Sequence, residues 1–237
     1  PYLTADHRLM LEKTDEVLVG ISLLMKALGV NRAVIGIENN KPDAIQKMKE
    51  RANSFVGIDV CPLKVQYPQG GEKQLIRAVI GREVPSGALP IAVGAVVNNV
   101  GTAFAVYEAV VKNKPLIERI VTVTGKKVAK PSNFKVRVGT SVQVLIEAAG
   151  GLPEDTVKVI SGGPMMGKAM PMLDVPVTKG TSGILVMSGT EGHRAQYQNC
   201  IRCGRCVSAC PMGLEPYLLM TLTENRIWDR TENEHVM

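Results

Sequence analysis

Ala33-Val34-Ile35-Gly36-Ile37 is a short apolar run with helical patterns on both sides, and its reading decides the fold of the first third of the chain. Five consecutive apolar residues bounded by polar ones suit a strand covered on both faces, as in a parallel sheet. Upstream, Val17, Leu18, Ile21, Leu24, Met25 and Leu28 recur at helical spacing. Thr14 is placed to cap that helix and Gly29 to close it. Downstream, Pro42 opens a helix to about Arg51, and Ile58 to Val65 reads as a second strand. Glu72 to Ile80 gives a third helix, Ile91 to Val97 a third strand, and Gly101 to Val111 a further helix. Strands separated by helices of this length imply an α/β parallel-sheet domain, assigned to residues 1–114.

The pattern changes after Pro115. Arg119 to Gly125 reads as a strand, and Asn133 to Val138 alternates with Phe134, Val136 and Val138 on one face. Thr140 or Ser141 caps a helix through Ala149, and Val157 to Ile160 returns as a strand. This order predicts a β-grasp-like α+β module over 115–175. A connector follows over 176–198, with strand character at Gly183 to Met187. The final stretch, 199–237, carries most of the thiols and a helix from Pro216 to about Asn225.

Cys200, Cys203, Cys206 and Cys210 are spaced C-x2-C-x2-C-x3-C and followed by Pro211. This is the bacterial ferredoxin spacing, in which short gaps let one loop wrap thiolates around a [4Fe–4S] cluster. Gly204 lets the backbone approach the inorganic sulfides. Zinc is the alternative for thiols two residues apart, but zinc sites use two separated pairs. In two-cluster ferredoxins the fourth Cys of such a run ligates the other cluster, and these 237 residues hold no second run. Dense thiols of this kind persist in reducing compartments, which points to the cytoplasm. The fifth thiol, Cys61, ends a strand and reads as a small buried hydrophobe.

Hydrophobic residues make up 45% of the chain and charged ones 21%, which excludes wholesale disorder. With aromatics at only 4%, the cores are built from aliphatic side chains. The most apolar stretch, Leu89 to Val111, contains Asn98, Asn99 and Glu108, which lipid would not tolerate unpaired. The chain starts at Pro1 with no signal peptide, so an upstream portion is expected, and the protein reads as soluble or membrane-peripheral. The net charge of +6 comes without a basic patch interleaved with aromatics. It predicts an acidic partner or a membrane surface and no nucleic acid.

Two loops in the α/β part sit where a strand hands over to a helix. Gln69-Gly70-Gly71-Glu72-Lys73 can turn backbone N–H groups toward an anion at a helix N-terminus. Asn98-Asn99-Val100-Gly101-Thr102 occupies a strand end, where ligands bind in such sheets, and Asn99 could equally serve as a cap. A third run, Ser161 to Gly167, reads as a turn. His7, His193 and His235 show no ligand spacing.

Together these stretches, with Pro1-Tyr2-Leu3-Thr4-Ala5-Asp6-His7-Arg8 and Gly162-Gly163-Pro164-Met165-Met166-Gly167, resemble the C subunit of Rnf-type ion-translocating electron transport complexes. The first domain is similar to the flavin-binding, NADH-oxidising subunit of respiratory complex I, and the middle module to the soluble-ligand-binding domain of both. The resemblance implies electron transfer from NADH through FMN to [4Fe–4S] clusters, alongside other subunits of a membrane complex and at the cytoplasmic face of the membrane. It places Gly71 and Glu72 near flavin and nicotinamide, and Asn98, Asn99 and Thr102 on the ribityl–phosphate side of FMN. The family's Gly-rich flavin loop and second cysteine run have no counterpart here, and Lys73 stands where the complex I protein has a second acid. A cobalamin reductase of similar layout and a non-catalytic scaffold with a structural zinc are the competing readings.

Overall fold

The computed structural model describes residues 2–193 and 196–234, in two units divided near position 194. Helices α1 (Ala5–Glu12) and α2 (Thr14–Leu28) come first. They are followed by β1 (Ala33–Glu38), α3 (Pro42–Ala52), β2 (Ile58–Leu63), α4 (Glu72–Ile80) and α5 (Val100–Val111). Strands β1 and β2 pair in parallel, from Ala33 opposite Ile58 to Glu38 opposite Leu63. The right neighbours for a covered strand are present. Val17 and Leu18 of α2, Ala44 and Met48 of α3, Ile35 and Ile37 of β1 and Ala103 of α5 form one core. Burying a side chain the size of Leu18 contributes about 1.5–3 kcal/mol. Gly20 lets α2 lie against the backbone of α5, because a Cβ there would overlap the carbonyl of Ala103.

Three expectations change. Ile91 to Val97 is no strand: Pro90–Val93 forms a 3-10 turn, and Gly94, at φ 71, ends it. Pro90 removes a ladder donor, and Leu89, Ile91 and Val96 stay 70%, 66% and 51% exposed, so no strand among the described residues covers them. Thr14 is the first residue of α2 instead of its cap. α1 ends at Glu12, Lys13 stands between the two helices, and the Thr14 hydroxyl donates to the Met10 carbonyl at 2.6 Å. Cys61 is half-buried, since β2 has β1 as its one partner strand among the described residues. Gly29 does close α2, with the left-handed φ of 66 that a side chain resists.

The rest of the first unit is built on a mixed sheet. Its elements are β3 (Glu118–Thr124), β4 (Ser132–Arg137), α6 (Val142–Ala148), β5 (Thr156–Ser161), β6 (Lys168–Ala169) and β7 (Gly183–Ser188). The strand order is β4-β3-β7-β5-β6, with β3 and β7 parallel and the other pairs antiparallel. Helix α6 starts at Ser141, whose hydroxyl accepts from the Gln143 N–H at 3.3 Å. It presents Val142, Leu145 and Ile146, with Ala149 just beyond its end, at i, i+3, i+4, i+7 spacing. They pack on the alternating inward residues Val121 and Val123 of β3 and Ile184 and Val186 of β7. The Gly162–Gly167 run is the turn between β5 and β6.

The α/β part and this sheet are joined by hydrogen bonds. The Thr122 hydroxyl on β3, 3% exposed, accepts from the Thr4 and Ala5 N–H groups at 3.2 and 3.0 Å. It therefore caps α1, whose own Thr4 side chain makes no cap. Thr122 in turn donates to Asn133 Oδ1 of β4 at 2.7 Å.

In the second unit, α7 (Arg205–Ala209), α8 (Pro216–Glu224) and α9 (Trp228–Asn233) follow the loop that carries Cys200 and Cys203. Leu222, at 3% exposure, is its one fully buried hydrophobic among the described residues, while Ile201 is 85% exposed. Among the described residues of the whole chain, no helix is long and apolar enough to cross a membrane.

Candidate functional site

The two loops of the α/β part deliver their residues to helix starts of different character. Gly71 is the N-cap of α4, in extended backbone, and supplies no side-chain cap. Its own N–H donates to the Pro68 carbonyl at 2.8 Å, after a cis Tyr67-Pro68 bond. A helix start without an N-cap side chain can turn its leading N–H groups to water or a ligand, as at anion-binding helix starts. Gly71 and Glu72 are both exposed.

At α5 the start is closed. Asn99 is its N-cap; Oδ1 accepts from Gly101 N–H at 2.7 Å, and its carbonyl accepts from Thr102 and Ala103 N–H at 2.9 and 3.2 Å. Its Nδ2 donates to Asp6 Oδ2 at 2.8 Å. Asn99 is therefore a cap first. The side chains left open at this loop are those of Asn98 and Thr102, both exposed. Beside it lies a cleft of about 540 Å³, lined among others by Asp6, Arg8, Gly101, Arg119, Asn133 and Lys135. The Arg119 Nε is buried there with no hydrogen-bond partner among the described residues.

One face of this cleft is held by a charge cluster. Lys114 reaches Glu108 at 3.0 Å and Glu118 at 2.6 Å, and Lys135 reaches Glu118 at 3.0 Å. The Lys114 ammonium first, then that of Lys135, hold the Glu118 carboxyl down to about 2. His7, which carries no ligand spacing in the sequence, pairs with Asp43 at 2.9 Å. His235 lies outside the described residues.

In the second unit, all four thiols are free; Cys200, Cys203 and Cys206 are exposed and Cys210 is half-buried. Gly204, at φ 73, turns the chain into α7, so that Cys203 precedes the helix, Cys206 lies within it and Cys210 follows it. The Arg202 N–H donates to Cys200 Sγ at 3.4 Å, an amide-to-sulfur contact within the loop. The Tyr197 hydroxyl donates to Glu224 of α8 at 2.7 Å, tying the loop's entry to that helix. Among the described residues, no three His, Cys, Asp or Glu side chains converge on one point in this geometry. The donor set itself fits an iron–sulfur cluster: four unpaired, accessible thiols on a short loop.

Three family models match. A Nuo51 FMN-binding domain covers residues 1–108, an SLBB domain 120–169 and a 4Fe-4S binding domain 196–214. The chain is 48% identical over 235 residues to the C subunit of the proton-translocating ferredoxin:NAD(+) oxidoreductase complex of Clostridium ljungdahlii, covering 99% of this chain and 51% of the relative. It is 44% identical to the C subunit of the Na(+)-translocating ferredoxin:NAD(+) oxidoreductase complex of Acetobacterium woodii, over 100% of this chain and 54% of that one. Over nearly its whole length this chain is similar to the C subunits of ion-translocating ferredoxin:NAD(+) oxidoreductase complexes. It spans about half the length of these two relatives. A solved NAD+-reducing NiFe-hydrogenase in its H2-reduced state shares the fold, with a TM-score of 0.62 and 21% identity over 79% of this chain and 38% of that one.

Sequence reasoning missed α1 altogether, and with it Asp6, Thr122 and Asn133. Thr4-Ala5-Asp6 offers a short capping signal, but the partner that caps α1 comes from β3, more than a hundred residues away.

Proposed function

We propose that this chain is an electron-transfer subunit that takes reducing equivalents from NADH through FMN and hands single electrons to iron–sulfur centres. The observation that carries this is the joint presence of an FMN-binding domain and a four-thiol ferredoxin loop in one chain. Flavin supplies the conversion of two-electron into one-electron chemistry, and the protein supplies binding and orientation. Gly71 and Glu72, at the uncapped start of α4, face the flavin and nicotinamide side. Asn98 and Thr102 offer open polar groups to the ribityl–phosphate side, and Asn99 shapes that loop. Cys200, Cys203, Cys206 and Cys210 supply thiolates to [4Fe–4S] ligation.

The partners are the other subunits of a membrane complex, and the place is its cytoplasmic face. The domains run over 1–114, 115–175 and 199–237. The middle one is a β-grasp module that recruits β7 from the 176–198 connector. A mixed sheet crossed by the single helix α6 supports that reading.

Metal and sulfide analysis of anaerobically purified protein tests the proposal. Iron and acid-labile sulfide in equal amounts, with a broad absorption that bleaches on dithionite, are expected. Stoichiometric zinc without iron would instead establish the scaffold reading.

A further inference from the structure

Asp6 has a part in the Asn98–Thr102 loop that no sequence motif announces. A carboxylate only accepts hydrogen bonds, whereas the two ends of an asparagine amide differ: one donates, the other accepts. Asp6 Oδ2, 2.8 Å from Asn99 Nδ2, thus dictates which way the amide lies. With Nδ2 drawn to Asp6, Oδ1 is turned to the Gly101 N–H, 2.7 Å away, and caps α5. A flipped amide would set N–H against N–H at Gly101 and lose the cap. Gly101 is suited to the arrangement, since a Cβ there would come within 3.0 Å of Asn99 Oδ1 and 3.4 Å of the Arg119 guanidinium.

Asp6 is itself held from the other side. It sits in the first turn of α1, whose leading N–H groups at Thr4 and Ala5 bond the buried Thr122 hydroxyl. Thr122 is fixed by donation to Asn133 Oδ1 at 2.7 Å. An unbroken chain of contacts therefore runs from the sheet at β3 and β4, through the start of α1, to the start of α5.

The geometry points to Asp6 as a positioning residue: anchored on Thr122, it sets the orientation of Asn99 and so aims Asn98 and Thr102 at the phosphate-bearing side of a flavin. This rests on the reading of that loop as an FMN site. Asp6 touches no flavin atom in this scheme. It selects one of two amide orientations, and the sheet of the middle module thereby becomes part of the flavin site's framework.

The test is FMN binding to the full chain, followed by flavin fluorescence, beside thermal melting of each variant. Asp6→Ala removes the acceptor and is expected to weaken FMN binding about tenfold, the effect of one well-made hydrogen bond to a charged group. Asp6→Asn keeps an acceptor that can rotate toward Asn99, and is expected to stay within about twofold of the parent. Asp6 is exposed, so both variants are expected to melt close to the parent. Asn98→Ala serves as the control for the loop itself. If Asn98→Ala weakens FMN binding while Asp6→Ala leaves it unchanged, the positioning role is overturned and the flavin reading stands. An Asp6→Asn loss as large as that of Asp6→Ala overturns it too, because the charge and not the acceptor would then matter. If Asn98→Ala binds FMN like the parent, the flavin reading of the loop falls and this proposal with it.

Discussion

The two units of the chain are held together by different physics. Residues 2–193 carry two aliphatic cores, one gathered around α2 and β1 and one between α6 and the mixed sheet. Residues 196–234 bury one large hydrophobic, Leu222, and leave Ile201, Met212, Ile227 and Trp228 at 85%, 56%, 46% and 57% exposure. Apolar burial scales with the area removed from water, so it can order the first unit and contributes little to the second. Below about 40 residues, a fold usually needs a metal, disulfides or a partner. Where a cluster binds the four free thiols of these residues, binding free energy is folding free energy. The difference leads to the expectation that cluster assembly and folding are coupled in residues 196–234 and separate in residues 2–193.

The largest expected effect breaks the comparison at its weak side. Cys206→Ser is expected to abolish the iron–sulfur absorption. It is also expected to raise the rate of proteolytic cleavage within 196–234 by about tenfold or more, because the open state becomes populated. Thermal melting of the first unit is expected to stay where it is. A joint loss of both units, read by fragment mapping and melting, would show that the cluster also orders the α/β part.

The smallest effect concerns the robust side. Glu118 is held at about 2 by Lys114 and Lys135, below its ordinary 4.5. A carboxylate with a depressed folded-state value adds stability that is fully present above about 4.5 and lost as pH falls toward 2. The parent is therefore expected to melt slightly above Glu118→Gln at pH 6, with the two converging near pH 2. Calorimetry at both pH values checks this. A gap of equal size at both would mean that packing, and not charge, separates them. Exposed pairs contribute modestly, so the shift at pH 6 is expected to be small.

Much of this was legible in the chain. The helices from Pro42 and Glu72, the strand at Ala33 and the cap at Ser141 follow from local signals: Pro at a first turn, apolar spacing, and a hydroxyl two residues before the N–H it accepts. The cysteine run is legible for the same reason, since its chemistry lies within eleven residues. What escaped was non-local. Ile91 to Val97 has the composition of a strand, but no strand among the described residues covers it, and neighbours do not show in a local window. Thr14 has the composition of a cap, but α1 ends at Glu12 and takes its hydroxyl. The Asp6–Asn99 bond spans 93 positions, and the Thr122 cap of α1 spans 117 to 118, so no motif could hold either. Asn99 illustrates the middle case: an asparagine before a helix signals both a cap and a ligand contact, and the fold makes it a cap.

The most direct test of electron transfer through this chain is an anaerobic titration of the purified protein with NADH, following flavin and iron–sulfur absorption together. Bleaching of the flavin band accompanied by bleaching of the broad thiolate-to-iron band, both abolished in step by loss of FMN, is the expected result. An iron–sulfur band that dithionite bleaches but NADH leaves untouched in the FMN-loaded protein would contradict it.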